Sequence, residues 1–340
     1  MIFTELLEKV SRSENLTTEE AAFAMHSIAH GLVSGEEIAA FLIAIRMKGE
    51  TLTELTAFIR VLREASIPVE VDVTGAVDLC GTGGDKSGTF NISTASMFVV
   101  AGAGVPVLKH GNRSVSSKSG SSDVLEVLGV KMDLKKVQVE KVFNDTGMAF
   151  MFAPNFHPAM KHVVPVRRAL KMRTFFNIVG PLLNPSKVEN QVVGAFNRDT
   201  AKTMASILGE MNTRRAFAVH AQDGLDEVSL SSKTEIFEVN GSISSDSYLF
   251  DPAELGINKT DLRHLLGGDS AVNAEIIKNI LTGKSTDAQR NVVLLNSAFA
   301  IHVSGAAATL EQGLEMAGNS INSGSAAKKL TELAKASKGV

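Results

Sequence analysis

Cysteine is almost absent from this 340-residue sequence: Cys80 is the only one. An internal disulfide and a cysteine-rich zinc site are therefore excluded. An excess of charge of one sign is missing too. Lys and Arg number 34 against 37 Asp and Glu, a net charge of −3. No global basic field exists for holding nucleic acid, so an anionic ligand has to be met by a concentrated patch. Long apolar runs are lacking. The longest, residues 97–108, contains Gly102, Gly104 and Pro106 and is too short to span a bilayer. The first residues lack a basic region followed by an apolar one, so no secretory signal is expected. The expectation is a cytoplasmic protein of a reducing compartment, with no membrane contact.

Several catalytic signatures are also missing. His157 and His162 stand five apart, poor spacing for shared ligation on one helix face. There is no His-Glu-x-x-His and no Gly-x-Ser-x-Gly elbow. Cys80, between Leu79 and Gly81, reads as a packed strand residue. No side-chain nucleophile or general acid/base is expected.

What is present reads as globular. Apolar residues make up 44% and charged residues 21%, and the length suggests about two domains. Residues 1–70 read as helical. Three capping boxes recur: Thr17 with Glu20, Ser34 with Glu37, and Thr51 with Glu54. Apolar residues follow at helical spacing, and Gly31 and Gly49 suit helix ends. One face of this bundle could pair with a second copy. After Pro68, short β-rich runs (77–80, 105–109, 148–152, 191–195, 215–221) alternate with helical stretches (91–101, 122–128, 135–144, 200–211). That alternation predicts an α/β domain, about 71–340, with a mostly parallel sheet. Residues 269–338 read as several helices rich in Ala and Ser.

Ligands of such sheets bind beyond the carboxyl ends of the strands, so the loops there matter most. The first, residues 81–89, holds four glycines with Asp85 and Lys86, and opens a helix near Asn91. Glycines bring backbone amides close to a ligand, and the helix start favours negative charge. The loop has neither Walker nor dinucleotide spacing. It suits a pyrophosphate, although a plain glycine-rich turn stays open. The second, residues 109–122, holds Lys109, Arg113 and Lys118 among serines. It supplies charge-assisted donors for a sugar phosphate, or else is a solvated loop. The third contains Asp223, Asp226 and Glu227. On a loop, adjacent carboxylates can turn toward a hard cation; in isolation an acidic surface turn is the plainer reading. Arg167 and Arg168, with Arg173 nearby, offer a two-pronged grip on a carboxylate, a weak signal by itself.

Taken together, the loops resemble the anthranilate phosphoribosyltransferase family of tryptophan biosynthesis. The carrying motifs are Gly81-Thr82-Gly83-Gly84-Asp85, Asn91-Ile92-Ser93-Thr94, Lys109-His110-Gly111-Asn112-Arg113 and Ser119-Gly120-Ser121-Ser122-Asp123-Val124-Leu125-Glu126, then Phe176-Asn177-Ile178-Val179-Gly180-Pro181-Leu182-Leu183-Asn184-Pro185 and Asp226-Glu227. Ser122 stands where alanine is frequent, and Leu183 where threonine is.

The resemblance implies transfer of the phosphoribosyl group of phosphoribosyl pyrophosphate (PRPP) to anthranilate, releasing pyrophosphate. It implies a small helical domain, to which residues 163–185 return, joined to an α/β domain of nucleoside-phosphorylase-like fold. It also implies a homodimer through the helical part. Gly81, Gly84, Asp85 and Thr89 would contact PRPP, with Asn91, Ile92, Ser93 and Thr94. So would Lys109, His110, Gly111, Asn112, Arg113, Ser114, Val115, Ser116, Ser117 and Ser121. Gly81, Asn112 and Arg167 would meet anthranilate. Ser93, Asp226 and Glu227 would hold Mg2+, two ions per subunit. Pyrimidine nucleoside phosphorylase is an alternative that Asp226-Glu227 disfavours. A nucleic-acid-binding relative is disfavoured by the net charge, and a nicotinamide-dependent dehydrogenase by the missing dinucleotide spacing.

Overall fold

A computed structural model describes residues 1–113, 118–211, 213–244 and 247–340. The N-terminal helices are α1 (Phe3–Ser11), α2 (Thr18–Ala29), α3 (Gly35–Lys48) and α4 (Leu52–Glu64). All three capping boxes close. In each, the hydroxyl accepts a backbone N–H from three residues on, and the glutamate accepts the hydroxyl residue's own N–H. Each cap contributes about 1 kcal/mol. A buried ion pair, Lys48 Nζ to Glu54 Oε2 at 2.9 Å, ties α3 to α4. It is well satisfied: Glu54 also accepts Leu16 N–H, and Lys48 also donates to Asn15 Oδ1.

Strands β1 (Val77–Gly81), β2 (Val107–Gly111), β3 (Met148–Phe152), β4 (Asn190–Gly194) and β5 (Arg215–Ala221) form the parallel part of one sheet, in the order β3-β2-β1-β4-β5. Strand β2 begins two residues later than its sequence suggests. Pro106 has no N–H to give a ladder, and its carbonyl instead accepts Val77 N–H. Beyond β5 the sheet continues with a strand that the alternation did not reveal. This is β6 (Thr234–Asn240), antiparallel to β5 from Arg215↔Asn240 to Ala221↔Thr234. Two short strands, β7 (Ile243–Ser244) and β8 (Tyr248–Phe250), both pair with β6.

The remaining helices are α5 (Ile92–Gly102), α6 (Ser121–Val127), α7 (Lys136–Thr146), α8 (Ala153–Phe156), α9 (Met160–Leu170), α10 (Phe176–Val179), α11 (Arg198–Glu210), α12 (Ser270–Leu281), α13 (Asp287–Val303), α14 (Leu310–Asn322) and α15 (Ser325–Lys338). Side chains alternate across a strand, and β4, β5 and β6 each feed two cores in this way. Val192, Phe217, Val219 and Ile236 face the larger core, with α5 and α13–α15. Val193, Ala216, Ala218 and Phe237 face the other, with α11 and the helical bundle. Val163, Phe175, Phe176, Val179 and Leu182 belong to that second core. The stretch around α9 and α10 therefore packs into the N-terminal bundle, and α9 lies against α2 and α3. Among the described residues no helix is long and apolar enough to cross a membrane.

Candidate active site

The five parallel strands all end on the same edge, and their loops converge there. The glycine loop leaves β1 and needs left-handed backbone at Gly83, Gly84 and Gly88, with φ between 65° and 72°. Its course is fixed from several sides. Thr82 N–H donates to Gly194 O, and Thr82 Oγ1 accepts Phe196 N–H. Arg173 donates to Gly84 O while its guanidinium lies 4.3 Å from the Phe196 ring centre. Phe90 N–H donates to Leu265 O, and Gly267 N–H to Gly88 O. Arg173, which the sequence placed beside a carboxylate grip, thus braces the glycine loop.

The acidic loop after β5 presses against two strand-end glycines. A Cβ at Gly194 would sit 1.6 Å from Asp226 O, and one at Gly81 would sit 2.6 Å from Asp226 Oδ2. No side chain fits at Gly194, and one at Gly81 would displace the Asp226 carboxylate. Asp223 turns away: it accepts Leu225 N–H and the hydroxyls of Ser229 and Ser231, and so shapes the turn. Asp226 and Glu227 turn in. Asp226 Oδ2 accepts Gly83 N–H at 2.7 Å, and Glu227 Oε1 accepts Ser93 N–H at 3.1 Å. Burial, and then the neighbouring Asp85 carboxylate, push the Asp226 carboxyl up to about 7. Burial, and then Asp226, push Glu227 up to about 8. Adjacent carboxyls raised in this way can be returned to their charged forms by a cation between them.

The cationic loop leaves β2. Lys109 is buried; its Nζ donates to Leu79 O and, at 3.2 Å, to Ser93 Oγ. It therefore stands between β1 and the start of α5, where it opposes Glu227 electrostatically. Gly111 ends β2, and Asn112 O accepts from Ser121 Oγ and Ser122 N–H at the start of α6. Arg113 is engaged within the protein. It pairs with Asp123 and Glu126 at 2.9 Å each and lies over the Phe152 ring. Ser114, Val115, Ser116 and Ser117 lie outside the described residues. Ile92 is buried in the core, which leaves only its backbone free for a ligand. Thr94 is buried with its hydroxyl unpaired.

Arg167 occupies the side nearest the bundle. Its Nη2 reaches Asn177 Oδ1 at 3.5 Å, its guanidinium lies over Phe176, and its buried Nε has no partner. Below β2 lies a second polar cluster that the sequence did not reveal. Asp78 Oδ1 accepts His110 N–H, and Asp78 Oδ2 accepts Asn184 Nδ2 at 2.8 Å. His110 Nε2 and His157 Nε2 are 3.1 Å apart. Cys80 receives Gln191 Nε2 at 3.2 Å, and burial raises its thiol well above the usual range. That fits a packed residue and not a nucleophile.

Among the described residues no three or more His, Cys, Asp or Glu are grouped to hold a metal ion. A magnesium site built from one or two carboxylates needs oxygens from substrate and water besides. Asp226, Glu227 and the Ser93 hydroxyl suit that kind of site, because burial and mutual repulsion disfavour the charged forms of the two carboxyls and a bound cation would favour them.

Residues 4–66 match the helical bundle domain of the glycosyl transferase family, and residues 73–327 match its α/β domain. The anthranilate phosphoribosyltransferase of Salinibacter ruber is 48% identical over 98% of both chains, and that of Alkaliphilus metalliredigens is likewise 48% identical over 98% of both. The chain belongs to the anthranilate phosphoribosyltransferase family. The crystal structure of the family's enzyme from Thermus thermophilus superposes with a TM-score of 0.92 at 35% identity, over 98% of this chain and 99% of that one. The Saccharomyces cerevisiae enzyme, in complex with PRPP and Mg, gives 0.92 at 25% identity, over 99% of this chain and 98% of that one. The edge where the loops converge is thus the place to seek the family's chemistry.

Proposed function

We propose that this anthranilate phosphoribosyltransferase of tryptophan biosynthesis binds PRPP along the glycine loop, the start of α5 and the cationic loop. Anthranilate then lies toward Arg167. The observation that carries the reading is the adjacent acidic pair Asp226 and Glu227, tied to Gly83 and Ser93 by single N–H bonds. Both PRPP loops thereby share one acidic centre. Magnesium held by Ser93, Asp226 and Glu227, two ions per subunit, would supply charge stabilisation for the departing pyrophosphate.

The chain's own residues do the rest. Glycine-loop amides and Lys109 bind phosphate oxygens. Arg167 grips the anthranilate carboxylate, with Asn177 and Phe176 holding its guanidinium in place. The anthranilate amine is uncharged near neutrality, so it attacks the anomeric carbon without a strong general base. A single displacement gives inversion there. Positioning of both substrates supplies much of the rate.

The protein works in the cytoplasm as a homodimer joined through its bundle. A groove of about 460 Å3 between α1 and α3 supports that pairing, lined by Val10, Ala40, Ile43 and Met47. Met47 is 83% exposed. Sedimentation tests the dimer; a monomer at micromolar concentration rejects it. The activity test mixes protein, anthranilate, PRPP and magnesium and follows the loss of anthranilate fluorescence. Loss that needs all three, with pyrophosphate appearing in step, is expected. Persistent fluorescence while PRPP still binds would move the search to another acceptor.

A further inference from the structure

Asn91 stands immediately before α5, at the position where an asparagine side chain usually accepts the first free amides of a helix. Here it makes no such cap. Its Nδ2 donates to Ser119 O at 3.2 Å, and its Oδ1 accepts from Asn273 Nδ2 at 2.9 Å. Asn273 lies in α12 and is 2% exposed. Its own Oδ1 accepts Gly268 N–H at 2.8 Å.

The two ends of this chain settle which way each amide faces. Gly268 N–H can only donate, and Ser119 O can only accept. Asn273 must therefore present oxygen to Gly268 and nitrogen to Asn91. Asn91 must present oxygen to Asn273 and nitrogen to Ser119. Neither amide can turn over without setting like groups against each other. The α5 amides that Asn91 leaves uncapped include Ser93 N–H, the donor to Glu227.

The geometry points to a positioning role: Asn273, through Asn91, locks the glycine loop to the cationic loop and so fixes both for PRPP. Its surroundings agree. Residues 265–267 are already zipped to the glycine loop through Phe90 N–H and Gly88 O. A Cβ at Gly267 would fall 2.4 Å from Asn273 Oδ1 and 2.7 Å from the Phe90 backbone, so this strap lies flush against both. The inference rests on the proposed PRPP site.

The test is Asn273→Asp, which keeps size and shape but replaces the donor with an acceptor. PRPP binding in the presence of magnesium is measured by calorimetry, together with thermal unfolding. Affinity for PRPP should fall about tenfold while the KM for anthranilate stays within about twofold, as a lost buried hydrogen bond acting on one substrate predicts. Asn273→Ala serves the same purpose should the aspartate variant fail to fold. A double-mutant cycle with Asn91→Ala reads the coupling: added to Asn91→Ala, loss of Asn273 should cost less than about twofold more. PRPP affinity unchanged in a folded Asn273 variant, or losses that simply multiply, would overturn the role. Lys109→Met separates this from the underlying site. If that change leaves PRPP binding intact, the site itself is misplaced. If it weakens binding while Asn273→Asp does not, only the coupling fails.

Discussion

Two acidic centres lie within the parallel part of the sheet and its loops, and they are built differently. Asp78 is fully buried but surrounded by donors: His110 N–H on one oxygen and Asn184 Nδ2 on the other. Asn184 is itself fixed, donating to Leu108 O and accepting Ser186 N–H. Asp226 is buried and Glu227 half-buried, and they stand side by side, with Asp85 close to Asp226. Each takes one N–H from a substrate loop. Buried polar groups are normally paired within the protein. A cluster that satisfies itself holds the fold together. One that concentrates like charge awaits a cation.

The sharpest way to break that contrast is at the acid pair. Asp226→Asn should lower turnover by about two orders of magnitude, the scale of losing a charge-stabilising group, and raise the magnesium needed for half-maximal rate. Initial rates across a magnesium titration check this, and an unchanged requirement would remove Asp226 from the metal site. Next in size is Arg167, whose unpaired Nε places it on the ligand-seeking side of the contrast. Arg167→Ala should raise the anthranilate KM at least about tenfold and move the PRPP KM little, as loss of a charged carboxylate grip predicts. Equal loss for both substrates would make it a structural arginine.

Much of this was legible in sequence wherever the signal is local. The capping boxes span three residues and closed as read. Asp226-Glu227 stood out as adjacent acids after a strand. Asp78 did not, because a single aspartate inside Val77-Asp78-Leu79 carries no pattern, and Asn184 lies 106 residues away. Asn273 is further still from Asn91, 182 residues along the chain. Strand β6 was missed for a related reason. Its pairing with β5 is antiparallel and follows a loop, so it breaks the strand-helix alternation that exposed β1–β5.

A smaller effect should come from the self-satisfied cluster. In Asp78→Asn, the new amide would set its nitrogen against Asn184 Nδ2. Asn184 cannot turn over without losing Leu108 O and Ser186. The cost should be about 1–3 kcal/mol, that of one buried donor left without an acceptor. Denaturant unfolding measures it. The magnesium requirement should stay as in the wild type; a shift would erase the distinction between the two centres.

The pH dependence of this cluster is smaller still, because its groups oppose one another. Burial pushes Asp78 up to about 6 from 3.8, so its contribution to stability is complete below about 3.8 and is lost as pH rises through 6. Burial pushes His157 down to about 4 from 6.5, so its contribution is complete above 6.5 and is lost as pH falls through 4. His110 is lowered too, by burial and then by His157. Two histidines therefore act against one carboxylate. This cluster's own contribution should decline gently between about pH 6.5 and 4, with Asp78 offsetting part of the histidine loss, while the raised Asp226 and Glu227 carboxyls act in the opposite direction. Asp78→Asn removes that offset, so melting temperatures of variant and wild type should diverge as the solution is acidified. Parallel melting curves across that range would mean that Asp78 titrates alike in the folded and unfolded chain, its hydrogen bonds and Lys109 cancelling the effect of burial.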